Sequence, residues 1–401
     1  MNPAQIEALA RISTKRINET KLDFKRYLYA SIGFDSRIIL IKGCRGVGKS
    51  TLLLQALKEV MDETTSIYIS LDHIYFASTT LYDCVESCYD LGYRTFVFDE
   101  VHKYTDWSIE IKNVYDSYSD VKIMATASSA LDIMKGAADL SRRADVYHLR
   151  GLSFREYLMM ESVVDIPIYT FEEILAKHVE IYDTYYEQFQ LKKHFKKYLS
   201  SGIYPFFKEA GSRYHERLLS VINQVIEVDL PAIFNVNYES TRQIKKLLAM
   251  LGRIAPYTPN IANLSRDLSM SRTSVLTFMD YLESADLLHI LKSNAKSDSA
   301  LTKPDKVYLE NTNLLYALGN PTPDSGMLRE TFVMNALSMN NQISTPARGD
   351  LLVDNKYTVE IGGPKKDFHQ ISNMPNPILI KEGIEQGSNG IIPMWMLGLM
   401  W

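Results

Sequence analysis

The sequence predicts an α/β protein whose N-terminal part is a three-layer structure with a parallel sheet at its centre. Three observations predict this class. Short apolar runs alternate with segments of helical spacing, the first run leads into a glycine-rich loop, and another run ends in two adjacent carboxylates. In such a sheet the carboxyl ends of the strands lie along one edge, so we expect the functional residues there.

The first strand is predicted at residues 38–41 and is followed by a glycine-rich loop and the helical segment TLLLQALKEV. A buried strand, this loop and a helix, in this order, are the context in which the pattern G-x-x-x-x-G-K-[ST] forms a P-loop. The residues that fit the pattern, with the threonine after it, are Gly43, Cys44, Arg45, Gly46, Val47, Gly48, Lys49, Ser50 and Thr51.

The residue types of this loop suit a nucleotide phosphate. Glycines let the backbone curl so that successive amides point inward, and the helix N-terminus adds further donors. Lys49 supplies a positive charge for the β- and γ-phosphates, and the Ser50 hydroxyl is placed to bind Mg²⁺. The sequence therefore predicts a P-loop NTPase domain that binds ATP and magnesium.

The run RTFVFDE predicts a second buried strand that ends in Asp99 and Glu100. We expect Asp99 to hold Mg²⁺ and Glu100 to orient the attacking water. A further strand, VKIMATASS, carries Thr126 and Ser128 at its end. Either a hydroxyl at this end contacts the γ-phosphate, or Ser128 or Ser129 caps the next helix.

These motifs resemble a family of prokaryotic AAA-type ATPases of the AAA+ superfamily, which join a P-loop domain to a C-terminal winged helix and a restriction-endonuclease-like module. The resemblance rests on GCRGVGKST, on FVFDEVHKYTDW, on ATASSALDI with Ala127 at a glycine position, and on LRGLSFREYL. It implies Mg²⁺-dependent ATP hydrolysis, with Lys49 and Glu100 as catalytic residues. It also suggests the segment from Arg16 to Arg26 for adenine.

The resemblance further implies an arginine that reaches the γ-phosphate on a neighbouring subunit. Arg143 is the first candidate and Arg142 the second, because a planar guanidinium stabilises charge on a transferring phosphoryl group. The alternative is that both arginines lie on a solvated loop. If the arginine acts in trans, the protein is a homo-oligomer.

The predicted domains are a P-loop domain at 1–160, a helical and winged-helix region at 161–300, and a degenerate endonuclease-like domain at 301–401. Residues 258–292 show the helix, turn, helix and strand pattern of a winged helix. In and after its second helix, Arg272 stands against Asp280, Glu283 and Asp286, which favours a structural or protein-contact role over DNA binding.

The resemblance places Asn311 and Asn313 at the acidic and glycine positions of the opening segment of the terminal module, and Glu330 in its first long helix. Asp350 and Glu360 follow, but Gly362 stands where nuclease members of that fold have a lysine. Lys365 or Lys366 could replace it only from a loop. The sequence therefore predicts a module used for binding, without nuclease activity.

Composition sets outer limits on function. The chain has 401 residues and a net charge of −4, which argues against a whole-surface nucleic-acid binder. Without a long apolar run or signal peptide, we expect a cytoplasmic protein with no membrane contact. The three cysteines, Cys44, Cys84 and Cys88, are expected to be buried thiols. Three of the eight histidines lie in the predicted P-loop domain, and we expect structural or surface roles for them; they are His73, His102 and His148.

The predicted function is ATP hydrolysis that drives conformational change of the C-terminal region. The alternative is an ATP-dependent switch or DNA-associated module with little turnover.

Overall fold

The computed structural model describes residues 1–129, 140, 142–292, 304–319 and 322–401. Contacts within the chain define two compact units. The first contains Met1–Arg150 and Glu227–Val236, and the second contains Gly151–Ile226 and Asn237–Trp401. A ten-residue segment therefore packs with the first unit although both of its sequence neighbours belong to the second. The division into domains 1–160, 161–300 and 301–401 stays a prediction.

The first unit contains a five-stranded parallel sheet with the strand order β2-β3-β4-β1-β5. This order, with helices between β1 and β2, between β2 and β3, and between β3 and β4, confirms the predicted P-loop NTPase α/β fold. The elements are α1 (Pro3–Glu19), β1 (Ile38–Gly43), α2 (Lys49–Glu59), β2 (Ser66–Ser70), α3 (Leu81–Tyr89), β3 (Thr95–Asp99), α4 (Trp107–Ser117), β4 (Lys122–Ser128) and β5 (Asp145–His148).

The sheet is buried on both faces, which explains why its strands are nearly continuous apolar runs. Residues 38–41 of β1 are at most 1% exposed, and the side chains of β3 from Phe96 to Phe98 are fully buried. Parallel pairing aligns Gly43 with Ser128 and Ser70 with Asp99. The ends of β1, β3 and β4 thus lie at one edge, as predicted. Cys44, Cys84 and Cys88 are buried, and no disulfide joins any two of them.

The second unit begins with helices. Among all the described residues, no helix is both long enough and apolar enough to cross a membrane. Its helices, with one short helix of the first unit, are α5 (Phe154–Met160), α6 (Phe171–Tyr185), α7 (Leu191–Ser201), α8 (Phe207–Ala210), α9 (Tyr214–Gln224), α10 (Leu230–Phe234, first unit), α11 (Tyr238–Ile254), α12 (Ile261–Leu268), α13 (Arg272–Ser284), α14 (Thr312–Ala317) and α15 (Ser325–Leu337).

The predicted helix, turn, helix and strand occur at α12, α13 and β6 (Leu288–Leu291). Ser271 caps α13, and its buried face carries the predicted Val275, Phe278 and Met279. Strand β6 pairs antiparallel with β7 (Lys306–Leu309). Residues 293–303, between the two strands, lie outside the described residues, and the winged-helix interpretation stays a prediction.

A second sheet of five strands, in the order β12-β11-β10-β9-β8, ends the chain. Strands β10, β11 and β12 are parallel, whereas β9 pairs antiparallel with β10 and β8. Helix α15 packs against β10. The strands are β8 (Ile343–Ser344), β9 (Leu351–Val353), β10 (Tyr357–Gly362), β11 (Pro377–Lys381) and β12 (Ile391–Pro393).

The acidic residues of this sheet are engaged by neighbouring groups. The buried Glu360 forms an ion pair with Lys366, one of the two loop lysines considered from the sequence, and burial raises the pKa of this carboxyl. The Asp350 carboxylate accepts a hydrogen bond from the Ile361 amide at 2.7 Å, and Glu330 pairs with Lys306. Among the described residues, no group of three or more His, Cys, Asp or Glu could hold a metal ion.

Asn313 is fully buried and connects separate parts of the second unit. Its Oδ1 accepts hydrogen bonds from the Ile203 amide at 2.9 Å and from the Tyr214 hydroxyl. Its Nδ2 donates to the carbonyls of Tyr198 and Leu199 at 3.1 and 2.8 Å. All the hydrogen-bonding capacity of the amide is therefore used in the core, which explains an asparagine at a glycine position of the resembled family.

Replacing Asn313 with leucine is expected to lower the free energy of unfolding by roughly 3 kcal/mol, because several buried polar groups lose their partner. Urea unfolding of the variant measures this loss. Asn263→Leu is the control, since this amide lies on the exposed face of α12. Equal midpoints for the two variants would contradict the role given to Asn313.

Candidate nucleotide-binding site

The P-loop runs from the end of β1 to the start of α2 and depends on glycine conformations. Gly43, Gly46 and Gly48 have φ angles of 155°, 86° and 99°, which side-chain-bearing residues rarely adopt. A Cβ atom at Gly43 would also lie 2.1 Å from the Leu149 carbonyl oxygen. The loop is therefore tightly curled and closely packed, as a phosphate-binding loop requires.

Lys49 is the first residue of α2, and its side chain folds back over the loop. Its ammonium donates hydrogen bonds to the carbonyl oxygens of Gly43 at 2.7 Å and Cys44 at 3.0 Å. Only 7% of the residue is exposed, and this burial lowers the pKa of the ammonium below its ordinary value. The charge is thus held against the loop where phosphate oxygens would be bound.

Arg26 fixes the other side of the loop, a role that the sequence did not reveal. Its buried guanidinium donates hydrogen bonds to the carbonyl oxygen of Val47 and, at 2.7 Å, to that of Arg150. The segment from Arg16 to Arg26 was expected to contact adenine. The structure shows its last residue supporting the P-loop backbone, and an adenine contact of this segment stays a prediction. A single arginine ahead of a strand gives no pattern that predicts the contact with the loop.

Asp99 lies at the centre of a hydrogen-bond network that joins the P-loop to three strands. Its Oδ1 accepts from the Ser50 hydroxyl at 2.8 Å and from the Thr126 hydroxyl. Its Oδ2 accepts from the Tyr68 hydroxyl, whose pKa is raised mainly by burial. Tyr68 comes from β2, and the sequence does not single it out because a tyrosine in an apolar run is typical of a core position.

This network fits a magnesium ion. Ser50 and Asp99 present hydroxyl and carboxylate oxygens at 2.8 Å from each other, and these are the hard donors that Mg²⁺ prefers. Tyr68 and Thr126 hold the carboxylate from behind, as partners of metal ligands commonly do. Two protein ligands suffice where substrate phosphates and water complete the shell.

The end of β4 is close to the same carboxylates. The Thr126 hydroxyl accepts a hydrogen bond from the Glu100 amide at 3.0 Å, besides contacting Asp99. The Ser128 amide donates to Nδ1 of His102 at 3.3 Å, and the Ser129 amide donates to the Gly43 carbonyl at 3.1 Å. Residues 130–139 are outside the described residues, so the alternative in which Ser128 or Ser129 caps a following helix stays a prediction.

Glu100 has a left-handed backbone, with φ of 57°. This conformation costs about 1–2 kcal/mol for a residue with a side chain and commonly marks a functional position. Its Oε2 lies 3.7 Å from Nη1 of Arg45 and 3.6 Å from Nε2 of His102. The strained turn therefore directs the carboxylate toward two basic groups.

His102 is buried at the site, although the sequence suggested no more than a structural or surface residue. Because its Nδ1 accepts from the Ser128 amide, the proton of the neutral ring lies on Nε2. That atom is 3.6 Å from Glu100 and also 3.6 Å from Oδ1 of Asp229. Its position two residues after Glu100 is the only sequence feature that could have suggested this location.

Asp229 enters the site from the segment 227–236, 184 positions after Arg45. Its side chain is 1% exposed, and its Oδ1 lies 3.5 Å from Nη1 of Arg45 and 3.9 Å from Nζ of Lys103. Nothing in the local sequence links VIEVDL to a P-loop. Sequence reasoning therefore missed this residue.

The two candidate arginines lie after β4. Arg143 pairs with Asp116 of α4 at 3.3 Å, and its guanidinium is 5.7 Å from the Tyr115 ring centre. Arg142 is exposed. An action of either arginine on a neighbouring subunit stays a prediction.

Comparison with known proteins agrees with this site. The sequence model of an AAA domain matches residues 35–158, and that of a domain of unknown function (DUF8612) matches residues 192–325. The uncharacterized protein MJ1637 of Methanocaldococcus jannaschii is 26% identical over 285 residues. The match covers 67% of this chain and spans 60% of the length of that relative.

Solved structures with similarity include AMPPCP-bound DnaA from Aquifex aeolicus and PCH-2 from C. elegans. DnaA is 13% identical with a TM-score of 0.28, and covers 70% of this chain and 92% of its own. PCH-2 is 14% identical with a TM-score of 0.25, and covers 70% and 66%. Such low scores establish no common overall architecture, so the fold assignment rests on the sheet order and on the AAA domain match.

Arg26→Met is expected to weaken ATP binding about tenfold, because the P-loop carbonyls lose charge-assisted hydrogen bonds that hold the loop in shape. Calorimetric titration with a non-hydrolysable ATP analogue measures the affinity. Lys25→Met is the matched control, since that lysine pairs with Glu59 away from the loop. Unchanged affinity in Arg26→Met would contradict a supporting role.

Proposed function

We propose that the protein binds ATP with Mg²⁺ and hydrolyses it. The observation that carries this proposal is the 2.8 Å hydrogen bond between Ser50 of the P-loop and Asp99 at the end of β3. It brings a hydroxyl and a carboxylate together beside a curled glycine loop and a buried lysine. A P-loop and an acidic strand end combined in this way form the usual site of Mg²⁺-dependent phosphoryl transfer.

In this proposal Gly43–Thr51 bind the phosphates, Lys49 contacts the β- and γ-phosphates, and Ser50 and Asp99 hold the metal. When bound, Mg²⁺ neutralises the charge that develops on the phosphates. Glu100 orients a water whose oxygen bonds to the γ-phosphorus, while the bond from that phosphorus to the bridging oxygen of ADP breaks. The products are ADP and inorganic phosphate, and Glu100 or a phosphate oxygen accepts the proton of the water.

The output that we propose is a conformational change of the C-terminal region. The alternative is a switch that holds ATP with little turnover. It is favoured by one observation, that Ala127 stands at the end of β4 where the resembled family has a glycine.

Lys49→Ala is expected to weaken ATP binding at least tenfold, because it removes the ammonium held over the loop. Glu100→Gln is expected to leave binding within about twofold and to lower single-turnover hydrolysis at least a hundredfold. Calorimetry with the analogue and release of labelled phosphate from ATP measure the two effects.

The outcomes separate the two functions. Equal ATP affinity in Lys49→Ala and the unmodified protein would remove the nucleotide-site proposal. Normal binding with wild-type hydrolysis no faster than that of Glu100→Gln would favour the switch without turnover.

For the subunit arrangement, we propose that Arg143 acts on a neighbouring copy in a homo-oligomer, with Arg142 as second choice. Its ion pair with Asp116 is partly exposed, and such surface pairs contribute little stability. The guanidinium can therefore exchange this partner for a phosphate at low cost. The alternative, a solvated loop without a role, predicts no loss of activity on substitution.

Mixing two inactive variants tests this arrangement. Arg143→Ala and Glu100→Gln are each expected to lack hydrolysis, whereas a mixture is expected to recover about a quarter of the wild-type rate, from sites with both residues intact. Phosphate release against mixing ratio gives the answer, with Arg94→Ala as the control arginine. A mixture no more active than its components would contradict action in trans.

For the C-terminal region, we propose a protein-binding role without nuclease activity. Lys292, a cation near α13, is 3.7 Å from both Asp280 and Glu283, which reduces its value for phosphate contacts. The ion pairs of Glu360 with Lys366 and Glu330 with Lys306 support a structural use of the acidic residues. DNA association remains the alternative partner for this region.

A further inference from the structure

The segment 227–236 is held against the first unit by a buried charge. Asp229 is 1% exposed, and a buried carboxylate is tolerated only where it is paired. Its basic neighbours are Arg45 in the P-loop and His102 and Lys103 directly after the acidic pair. Helix α10, which follows Asp229, packs against residues 101–103. Every one of these neighbours belongs to the nucleotide site or adjoins it.

Asp229 and Glu100 share the same two basic groups. Nη1 of Arg45 lies 3.5 Å from Oδ1 of Asp229 and 3.7 Å from Oε2 of Glu100. Nε2 of His102 lies 3.6 Å from each of these oxygens. The four distances are nearly equal, so each basic group is shared by both carboxylates.

The shared position leaves Glu100 with an acceptor atom to which no group of the described residues donates a hydrogen bond. Within the described residues, Glu100 Oε2 is buried and has no hydrogen-bond partner, and the same holds for Nε2 of His102. A group that orients water needs such an acceptor, because it must take a hydrogen bond from the water. The distances to Arg45 and His102 are too long to block it.

Removing the charge of Asp229 would leave Glu100 as the main attraction for Arg45 and His102. Of the two carboxylates that Arg45 and His102 share, only Glu100 would then remain charged. One of the two groups would form a charge-assisted hydrogen bond of about 2.8 Å with it. A carboxylate engaged in this way accepts poorly from water and is turned toward the guanidinium. Asp229 opposes this because it attracts the same two groups from comparable distances.

We propose that Asp229 is a positioning residue for ATP hydrolysis, which holds Arg45 and His102 back from Glu100 so that this carboxylate can orient water. The inference rests on the proposed hydrolysis. It adds a residue from a segment whose sequence neighbours belong to the second unit. Hydrolysis therefore requires that segment 227–236 is in place.

Asp229→Asn tests the inference, because it keeps the shape and removes the charge. We expect kcat to fall at least tenfold, while KM and the affinity for a non-hydrolysable analogue stay within threefold. Asp229→Glu keeps a carboxylate and is expected to retain more activity than Asp229→Asn. Asp120→Asn is the control, since it removes an exposed carboxylate paired with Arg94 in the same unit.

A double-variant cycle shows whether Asp229 acts through Arg45. In an Arg45→Met background, Asp229→Asn is expected to lower kcat less than in the wild-type background, because one of the two groups it restrains is absent. A crystal structure of Asp229→Asn gives a readout that does not depend on activity. It is expected to show Arg45 or His102 within 3.2 Å of Glu100 Oε2, a hydrogen-bond distance.

The results distinguish failure of this inference from failure of the proposed function. Wild-type protein that does not hydrolyse ATP would overturn the function, and the crystal structure would still decide the contact. Active wild-type protein with Asp229→Asn as fast as Asp120→Asn, or faster, would overturn the inference. If Asp229→Asn does not fold, Asp229→Ser, which is smaller and also neutral, replaces it with the same expectations.

Discussion

The alignment of three strand ends is the constraint on which the rest of the site depends. Parallel pairing of β1, β3 and β4 brings Gly43, Asp99 and Ser128 to one edge of the sheet. From there the Ser50 hydroxyl reaches Asp99, and the Thr126 hydroxyl contacts both Asp99 and the Glu100 amide. A shift of one residue in any pairing would turn these side chains to the other face. The apolar runs that bury the sheet on both faces therefore also fix the chemistry at its edge.

Charged groups at this edge are buried, each with partners of its own. Asp99, Lys49 and Asp229 are each less than a tenth exposed, and each has partners within the first unit. A buried charge that loses its partner is strongly destabilising, so these contacts hold the three side chains in place. The left-handed backbone of Glu100 adds strain that the surrounding contacts must offset. The arrangement is rigid where phosphate and metal would be bound.

The sequence predicted the parts of the site that are local in the chain. Gly43 to Thr51 and the pair Asp99 and Glu100 were recognised because each motif follows its own strand, and parallel topology then places them together. Tyr68 and Arg26 were missed because a tyrosine within an apolar strand and an arginine before a strand have common structural uses. Asp229 was missed since its partners are remote in sequence. In the second unit, the order helix, helix and strand within residues 258–292 was predicted correctly. The resemblance gave Asn313 a place in the terminal module but did not indicate its buried hydrogen bonds.

The buried charge of Asp229 also determines how easily segment 227–236 can be displaced. An apolar helix can slide over an apolar surface with gradual loss of contact. A buried carboxylate beside a guanidinium, an imidazole and an ammonium cannot, because a displacement within the protein leaves the Asp229 charge without partners and without water. Loss of this contact would therefore be more costly than loss of an apolar contact of similar area. Arg45 connects the contact to the nucleotide site, because it belongs to the P-loop and pairs with both Asp229 and Glu100.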